Sequence, residues 1–190
     1  MGPYRALEPI IVSPLKNNIN FLKKKIRAIK DYPKPGIIYQ DITPLLRDQY
    51  AFSLAIDLCC EKVDVDVDLI AAIDARGFIL GSGIAYKTEK GIIPIRKMNK
   101  LPYDVIAEKY SLEYGDDQIE LHTDSIERGQ KIVLVDDVLA TGGTTEAATK
   151  LIDRLGGHIS AIIFLLELRD LNGRNKLAKH ADNIHSLIEL

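Results

Sequence analysis

The run Lys131-Ile-Val-Leu-Val-Asp136-Asp137-Val-Leu-Ala140-Thr141-Gly142-Gly143-Thr144-Thr145 joins an apolar strand, an acidic pair and a glycine–threonine loop. Ile132 to Val135 suit the centre of a parallel sheet, so the acids fall where the strand emerges and where open α/β sheets bind ligands. Adjacent carboxylates there accept hydrogen bonds from vicinal ribose hydroxyls. Gly142 and Gly143 allow consecutive backbone N–H groups to converge on one phosphate, and Thr141, Thr144 and Thr145 add hydroxyl donors. Downstream, Ala147, Ala148, Leu151, Ile152 and Leu155 recur at helical spacing and Gly156-Gly157 stop the helix, so its N-terminus points at the same anion. The expected ligand is a sugar carrying phosphate. A nucleoside-triphosphate P-loop is excluded, because Thr144 follows Gly143 where that loop needs lysine.

Upstream, Leu69 to Ile73 read as a second buried strand ending in Asp74-Ala75-Arg76-Gly77, a small-residue turn with a fixed cation that suits a second phosphate group. Arg76 alone could make a surface salt bridge, but its place at a strand's carboxyl end favours the anion-holding reading. Gly77, Gly81 and Gly83 lack the spacing of a dinucleotide fingerprint, and Gly81 and Gly83 suit helix-on-sheet packing. Gly91 to Ile95 read as another strand, with Arg96, Lys97 and Lys100 clustered past its end. From Lys100 to Gly115 the chain is too mixed for core and too long for a simple connection, which predicts a lid. Tyr110, Leu112 and Tyr114 alternate with Ser111 and Glu113, so a β-ribbon would turn Glu113 inward, whereas an ordinary surface hairpin would leave it solvated. Gly115-Asp116 is the expected turn into Gln118 to His122.

Ile159 to Leu166 predict a further core strand and Ile184 to Ile188 an edge strand. Towards the N-terminus, Ile19, Leu22, Ile26 and Ile29 mark one helix face, with Lys23, Lys24 and Lys25 mostly off it as a solvated surface. Pro33, Pro35 and Gly36 end that helix, Ile37 to Pro44 read as extended, and a helix is expected around Tyr50 to Glu61. Strands alternating with helices give an α/β chain with a mostly parallel, doubly wound sheet.

Composition narrows the function. With 190 residues and 46% hydrophobic content, the chain suits one domain over 18–190, preceded by an extended lead-in over 1–17. A formal charge of -2 provides no global field for nucleic acid or an anionic membrane, so an anion must be held by locally placed groups. No apolar run approaches the roughly 20 residues of a bilayer span, and no signal-peptide core is seen, so a cytoplasmic enzyme is expected. Adjacent Cys59 and Cys60 lie in an apolar helical stretch and read as buried thiols, and the 4 histidines lack zinc spacing.

From about Asp31 onward the chain resembles the adenine phosphoribosyltransferases. The resemblance is carried by Tyr32-Pro-Lys-Pro-Gly36 with Asp41-Ile-Thr-Pro44, by Ala75-Arg-Gly-Phe78, by Arg96-Lys97 with Lys100-Leu-Pro102 and Tyr110-Ser-Leu-Glu-Tyr-Gly115, and by Val135 to Thr144. The last segment alone indicates the wider phosphoribosyltransferase family. The lid and the proline–glycine segment narrow it to the adenine enzymes. The resemblance implies the type I fold, with a small N-terminal hood over about 18–45 and a flexible β-ribbon lid over about 100–120. It also implies a homodimer and transfer of the phosphoribosyl group from Mg2+-bound phosphoribosyl pyrophosphate to N9 of adenine, yielding AMP and pyrophosphate in purine salvage.

By the same resemblance, Asp136 and Asp137 lie near the ribose hydroxyls, and Ala140, Thr141, Gly142, Gly143 and Thr144 hold the 5′-phosphate. Asp74, Ala75 and Arg76 match the pyrophosphate loop, often with a cis peptide. Arg96, Lys97 and Lys100 match cations around the pyrophosphate, some acting across the dimer. Glu113 matches the lid carboxylate managing the proton at N7 and, with Arg76, forms the expected catalytic set. Ile38 and Gln40 match backbone positions that read the adenine edge, and Leu168 an apolar residue stacking on the ring. Gln40 departs from the family, which usually has arginine there. The expected magnesium is held mainly by substrate and water, with no protein ligand assigned.

The neighbouring reading is transfer to a 6-oxopurine, which would favour a lysine donor near the base, and none lies around Leu166 to Leu168. A non-catalytic regulator that senses phosphoribosyl pyrophosphate on the same fold would carry a basic patch or an added DNA-binding segment, which neither charge nor length supports.

Overall fold

A computed structural model describes residues 15–112, 115–181 and 183–190, with side chains left out at 15–16, 111–112 and 115–116. The chain divides into two compact units, Met1–Leu54 and Ala55–Leu190.

In the N-terminal unit, helix α1 (Leu15–Lys23) is followed by strand β1 (Arg27–Lys30), strand β2 (Ile38–Asp41) and the short helix α2 (Thr43–Arg47), after which α3 (Gln49–Cys60) crosses into the second unit. The helix expected to run through Ile26 and Ile29 stops at Lys23, because Ile26 precedes β1 and Ile29 pairs across from Tyr39 in an antiparallel hairpin. An ion pair supplies the reason. Arg27 is registered opposite Asp41 and donates to its Oδ2 from Nε at 3.0 Å and Nη2 at 2.5 Å. Asp41 Oδ1 accepts the Thr43 N–H at 2.9 Å, so the segment expected to stay extended through Pro44 turns into α2, with proline in its first turn. Hydrogen bonds from Thr43, then the Arg27 side chain, bring the Asp41 pKa down to about 2.

The second unit is built on one sheet. Its strands are β3 (Leu69–Ile73), β4 (Gly91–Lys97), β5 (Val105–Leu112), β6 (Gly115–His122), β7 (Lys131–Leu139), β8 (His158–Glu167) and β9 (Ile184–Glu189), in the order β5-β6-β4-β3-β7-β8-β9. From β4 to β9 all pairings are parallel, while β5 and β6 add an antiparallel ribbon at the β4 edge. The mostly parallel expectation therefore holds. Helices α4 (Arg76–Thr88) and α5 (Gly143–Leu155) are the crossovers, and the short α6 (Gly173–Leu177) precedes β9.

Burial explains the strand pattern. Ile132 to Val135 and Ile162 to Leu166 are fully buried, as residues covered on both faces of a parallel sheet must be. One hydrophobic cluster joins Ile73 and Leu134 to Ala148, Leu151 and Ile152 of α5. Gly81 packs as expected: a Cβ there would meet Ala72 Cβ at 2.6 Å. Gly83 instead clears room for Ile56 of α3, whose Cδ1 would lie 2.6 Å away. Cys59 is a buried free thiol and Cys60 a half-buried one.

Two boundaries differ from the sequence expectation. β7 continues beyond Val135 to Leu139, because Val138 and Leu139 keep pairing with Leu166 and Glu167 of β8. Gly115 and Asp116, expected as the turn, are already paired with Leu112 and Ser111 in the ribbon.

Candidate active site

At the carboxyl end of β7, alternation sends Asp136 and Asp137 to opposite faces, and both remain at least partly buried, Asp137 at 6% exposure. Asp136 Oδ1 accepts the Asp137 N–H at 2.8 Å. Asp137 Oδ2 lies 2.8 Å from Arg76 Nε, an ion pair whose angle falls short of a hydrogen bond. Burial first, then the neighbouring Asp137 charge, holds the Asp136 carboxyl well above the usual carboxylate range. Burial also raises Asp137, while Arg76 pulls the other way. Two adjacent acids with strengthened proton affinity form a site that gains from hydroxyl donors or a cation.

Arg76 reaches that pair because Gly77 lets the start of α4 close on β7. A Cβ at Gly77 would lie 3.0 Å from Val135 O and 3.1 Å from Asp136 Oδ1. The Asp74–Ala75 peptide bond just before it is cis. Asp74 Oδ2 faces Arg96 Nε at 3.3 Å, and Arg96 Nη1 donates to Lys100 O at 3.3 Å, so Asp74, Arg96 and the Lys100 backbone form one cluster. Lys97 pairs elsewhere, with Asp117 Oδ2 of β6 at 3.2 Å.

Beyond β7, Ala140 and Thr141 lead to Gly142, whose φ of 78° is the left-handed conformation that glycine adopts without steric cost. Gly143 and Thr144 open α5, and the acidic Glu146 is not at the loop but paired with Lys179 Nζ at 2.8 Å. No side chain caps the N–H groups of that first turn, where the sequence leads one to expect an anion. Leu168 is half-buried and donates its N–H to Leu139 O at 2.9 Å, so it leaves β8 beside the phosphate loop. Ile38 and Gln40, two residues apart on β2 of the N-terminal unit, share one face of that strand. Glu113 lies outside the described residues.

Several contributors escape the sequence. Gly173 packs under the loop: a Cβ there would fall 2.2 Å from Ala140 O and 3.0 Å from Gly142 N. Its neighbour Arg174 forms a fork on buried Glu167, with Nε to Oε1 at 3.0 Å and Nη2 to Oε2 at 2.5 Å, and also donates to Ile184 O at 2.8 Å. Glu120, 6% exposed, accepts from the Asn99 N–H at 3.0 Å and so holds the turn that carries Lys100. The only available signal was a glycine and charged residues following a core strand, which is too common a pattern to assign.

These features define a phosphoribosyl-binding α/β enzyme, and the chain belongs to the family described as Phosphoribosyl transferase domain, which matches residues 53–188. Within that family it falls among the adenine phosphoribosyltransferases. The adenine phosphoribosyltransferase of Thermotoga neapolitana is 57% identical over 157 residues, covering 82% of this chain and 92% of that protein. The crystal structure of the enzyme from Thermoanaerobacter pseudethanolicus superposes with a TM-score of 0.87 at 46% identity, over 90% of this chain and 99% of that one. The Saccharomyces cerevisiae enzyme, solved with an imino-altritol bisphosphate and adenine, gives a TM-score of 0.83 at 30% identity, over 91% and 99% of the two chains.

Proposed function

We infer that the protein transfers the 5-phosphoribosyl group of phosphoribosyl pyrophosphate to N9 of adenine, releasing AMP and pyrophosphate. The observation that carries this reading is the Asp136–Asp137 pair set beside the Gly142 turn and the start of α5, in a chain 57% identical to an adenine phosphoribosyltransferase. Breaking the bond between C1′ and pyrophosphate builds positive charge on the ribose and negative charge on the leaving group. Asp136 and Asp137 orient the diol, and the N–H groups from Ala140 to Thr144 hold the 5′-phosphate. Arg76, Arg96, Lys97 and Lys100, with the backbone at Asp74 and Ala75, receive the pyrophosphate. Ile38 and Gln40 read the adenine edge through the backbone, Leu168 stacks on the ring, and Glu113 handles the proton at N7.

Magnesium fits this donor set as a companion of the substrate. Among the described residues no group of three or more His, Cys, Asp or Glu side chains could enclose a metal, so the ion would rest on substrate oxygens and water, with Asp136 and Asp137 as the carboxylates available to its hydration shell. The chemistry it would supply there is charge neutralisation of the pyrophosphate group. The reading also includes a hood over about 18–45, a lid over about 100–120 that excludes water, a homodimer and a cytoplasmic location. The homodimer is supported by Ile79 and Tyr86 on α4, 43% and 86% exposed, which a second protomer would cover. No described helix is long and apolar enough to cross a membrane.

The test is turnover with Mg2+ and phosphoribosyl pyrophosphate and, in separate reactions, adenine, hypoxanthine and guanine. AMP formation from adenine, with the 6-oxopurines slower by about 10² or more, is expected; equal or preferential use of hypoxanthine or guanine would overturn the assignment.

A further inference from the structure

Tyr110 lies between the start of α5 and the Lys97 side chain of β4. Its ring is buried, 9% exposed, in the cluster that includes Ile119, Ala147 and Leu151. Its hydroxyl donates to Asp117 Oδ2 at 3.0 Å, and that oxygen lies 3.2 Å from Lys97 Nζ. Asp117 is the direct cross-strand partner of Tyr110, and its Oδ1 accepts the Gln118 N–H at 2.8 Å, so the carboxylate is held from both oxygens. On its other side the Tyr110 ring packs against Ala147 of α5. Tyr110 and Gly143 share the wall of a cavity of about 370 Å³ with Glu146, Ala147 and Lys150.

The strand that carries Tyr110 is fastened to the same helix. Arg154 Nη1 donates to Ala107 O at 2.8 Å, and Glu108 faces Lys150 at 3.4 Å and Arg154 at 3.5 Å. A polar chain therefore runs from Tyr110 through Asp117 to Lys97, on a strand anchored along α5. Side chains ordered this way lose less entropy when a ligand arrives, and the gain falls on whichever ligand group they meet.

We propose that Tyr110 is a positioning residue: through Asp117 its hydroxyl sets Lys97 relative to the phosphate loop, so that the pyrophosphate end of the substrate is gripped at a fixed distance from the 5′-phosphate. This rests on the transfer reaction proposed above. Burial pushes the Tyr110 hydroxyl up to about 12, with Asp117 adding to the rise, so it stays a donor throughout the working pH range.

The test compares wild type, Tyr110→Phe, Asp117→Asn and the double variant in steady-state transfer with Mg2+ and phosphoribosyl pyrophosphate, with melting followed alongside. Tyr110→Phe should raise KM for phosphoribosyl pyrophosphate, and the inhibition constant of pyrophosphate, by about tenfold. KM for adenine should stay within about twofold. The double variant should be no worse than the poorer single one, because the two groups act in series. An active wild type beside a Tyr110→Phe protein with unchanged KM for phosphoribosyl pyrophosphate, an equal rise for adenine, or additive single effects would overturn the proposal. An inactive wild type would instead overturn the transfer reading. If Tyr110→Phe does not fold, Asp117→Asn alone must show the same selective rise, and its absence overturns the proposal.

Discussion

Asp136 is costly to the fold and useful to the site. Its pKa is raised by burial first and by Asp137 second, so folding strengthens its hold on a proton. A carboxyl of this kind stabilises the fold below its unfolded value of about 3.9, and that contribution is lost as pH climbs through the higher folded value. At neutral pH the unliganded protein therefore bears the cost of an acid held in a buried site beside a second one. Asp136→Asn removes that acid and leaves Oδ1 able to accept the Asp137 N–H. The variant should melt about 3 °C above wild type at pH 7 without ligand, and the gap should close as pH falls toward about 4. Transfer should drop by about 10² or more. Calorimetric melting across pH checks the first part. A variant less stable at pH 7 would show that the charge is satisfied in the folded protein by groups other than Arg76.

Among elements, the stretch from β7 to α5 was readable because each part depends on its neighbours in sequence: apolar strand, acids, a glycine at positive φ, then a helix stopped by Gly156. Arg76 was readable for the same reason, at the end of β3. What supports the loop from behind was not. Gly173 comes back under Ala140 and Gly142 only after the whole of α5 and β8, and nothing local marks it as different from any glycine opening a short helix. Gly173→Ala should cost about 2 kcal/mol from crowding against Ala140 O, and should weaken AMP binding by about tenfold, as read by denaturant melts and calorimetry. Unchanged AMP affinity in a folded Gly173→Ala protein would mean that the loop tolerates displacement and needs no support there. Ile26 and Ile29 misled for a related reason. Their spacing fits a helix, but Arg27 finds Asp41 across a hairpin, and that long-range pair decides the register.

At the scale of the whole molecule, parallel order in β4-β3-β7-β8-β9 brings β3, β4 and β7 out at one edge of the sheet, so that Asp74, Arg96 and Asp137 converge although they are distant in sequence. Alternating strands and helices made the parallel sheet legible, but not that Tyr110 and Asp117 would meet across β5 and β6, since one residue of slip in a hairpin exchanges its faces. In the proposed reaction, main-chain amides at the start of α5 carry the affinity for a 5′-phosphate while Asp136 and Asp137 hold the sugar. Calorimetric titration of the protein with AMP, set beside adenosine under identical conditions, addresses it directly. Saturable AMP binding, weaker by about 10² or more for adenosine, is the expected result; AMP and adenosine binding alike, or AMP producing no heat, would contradict it.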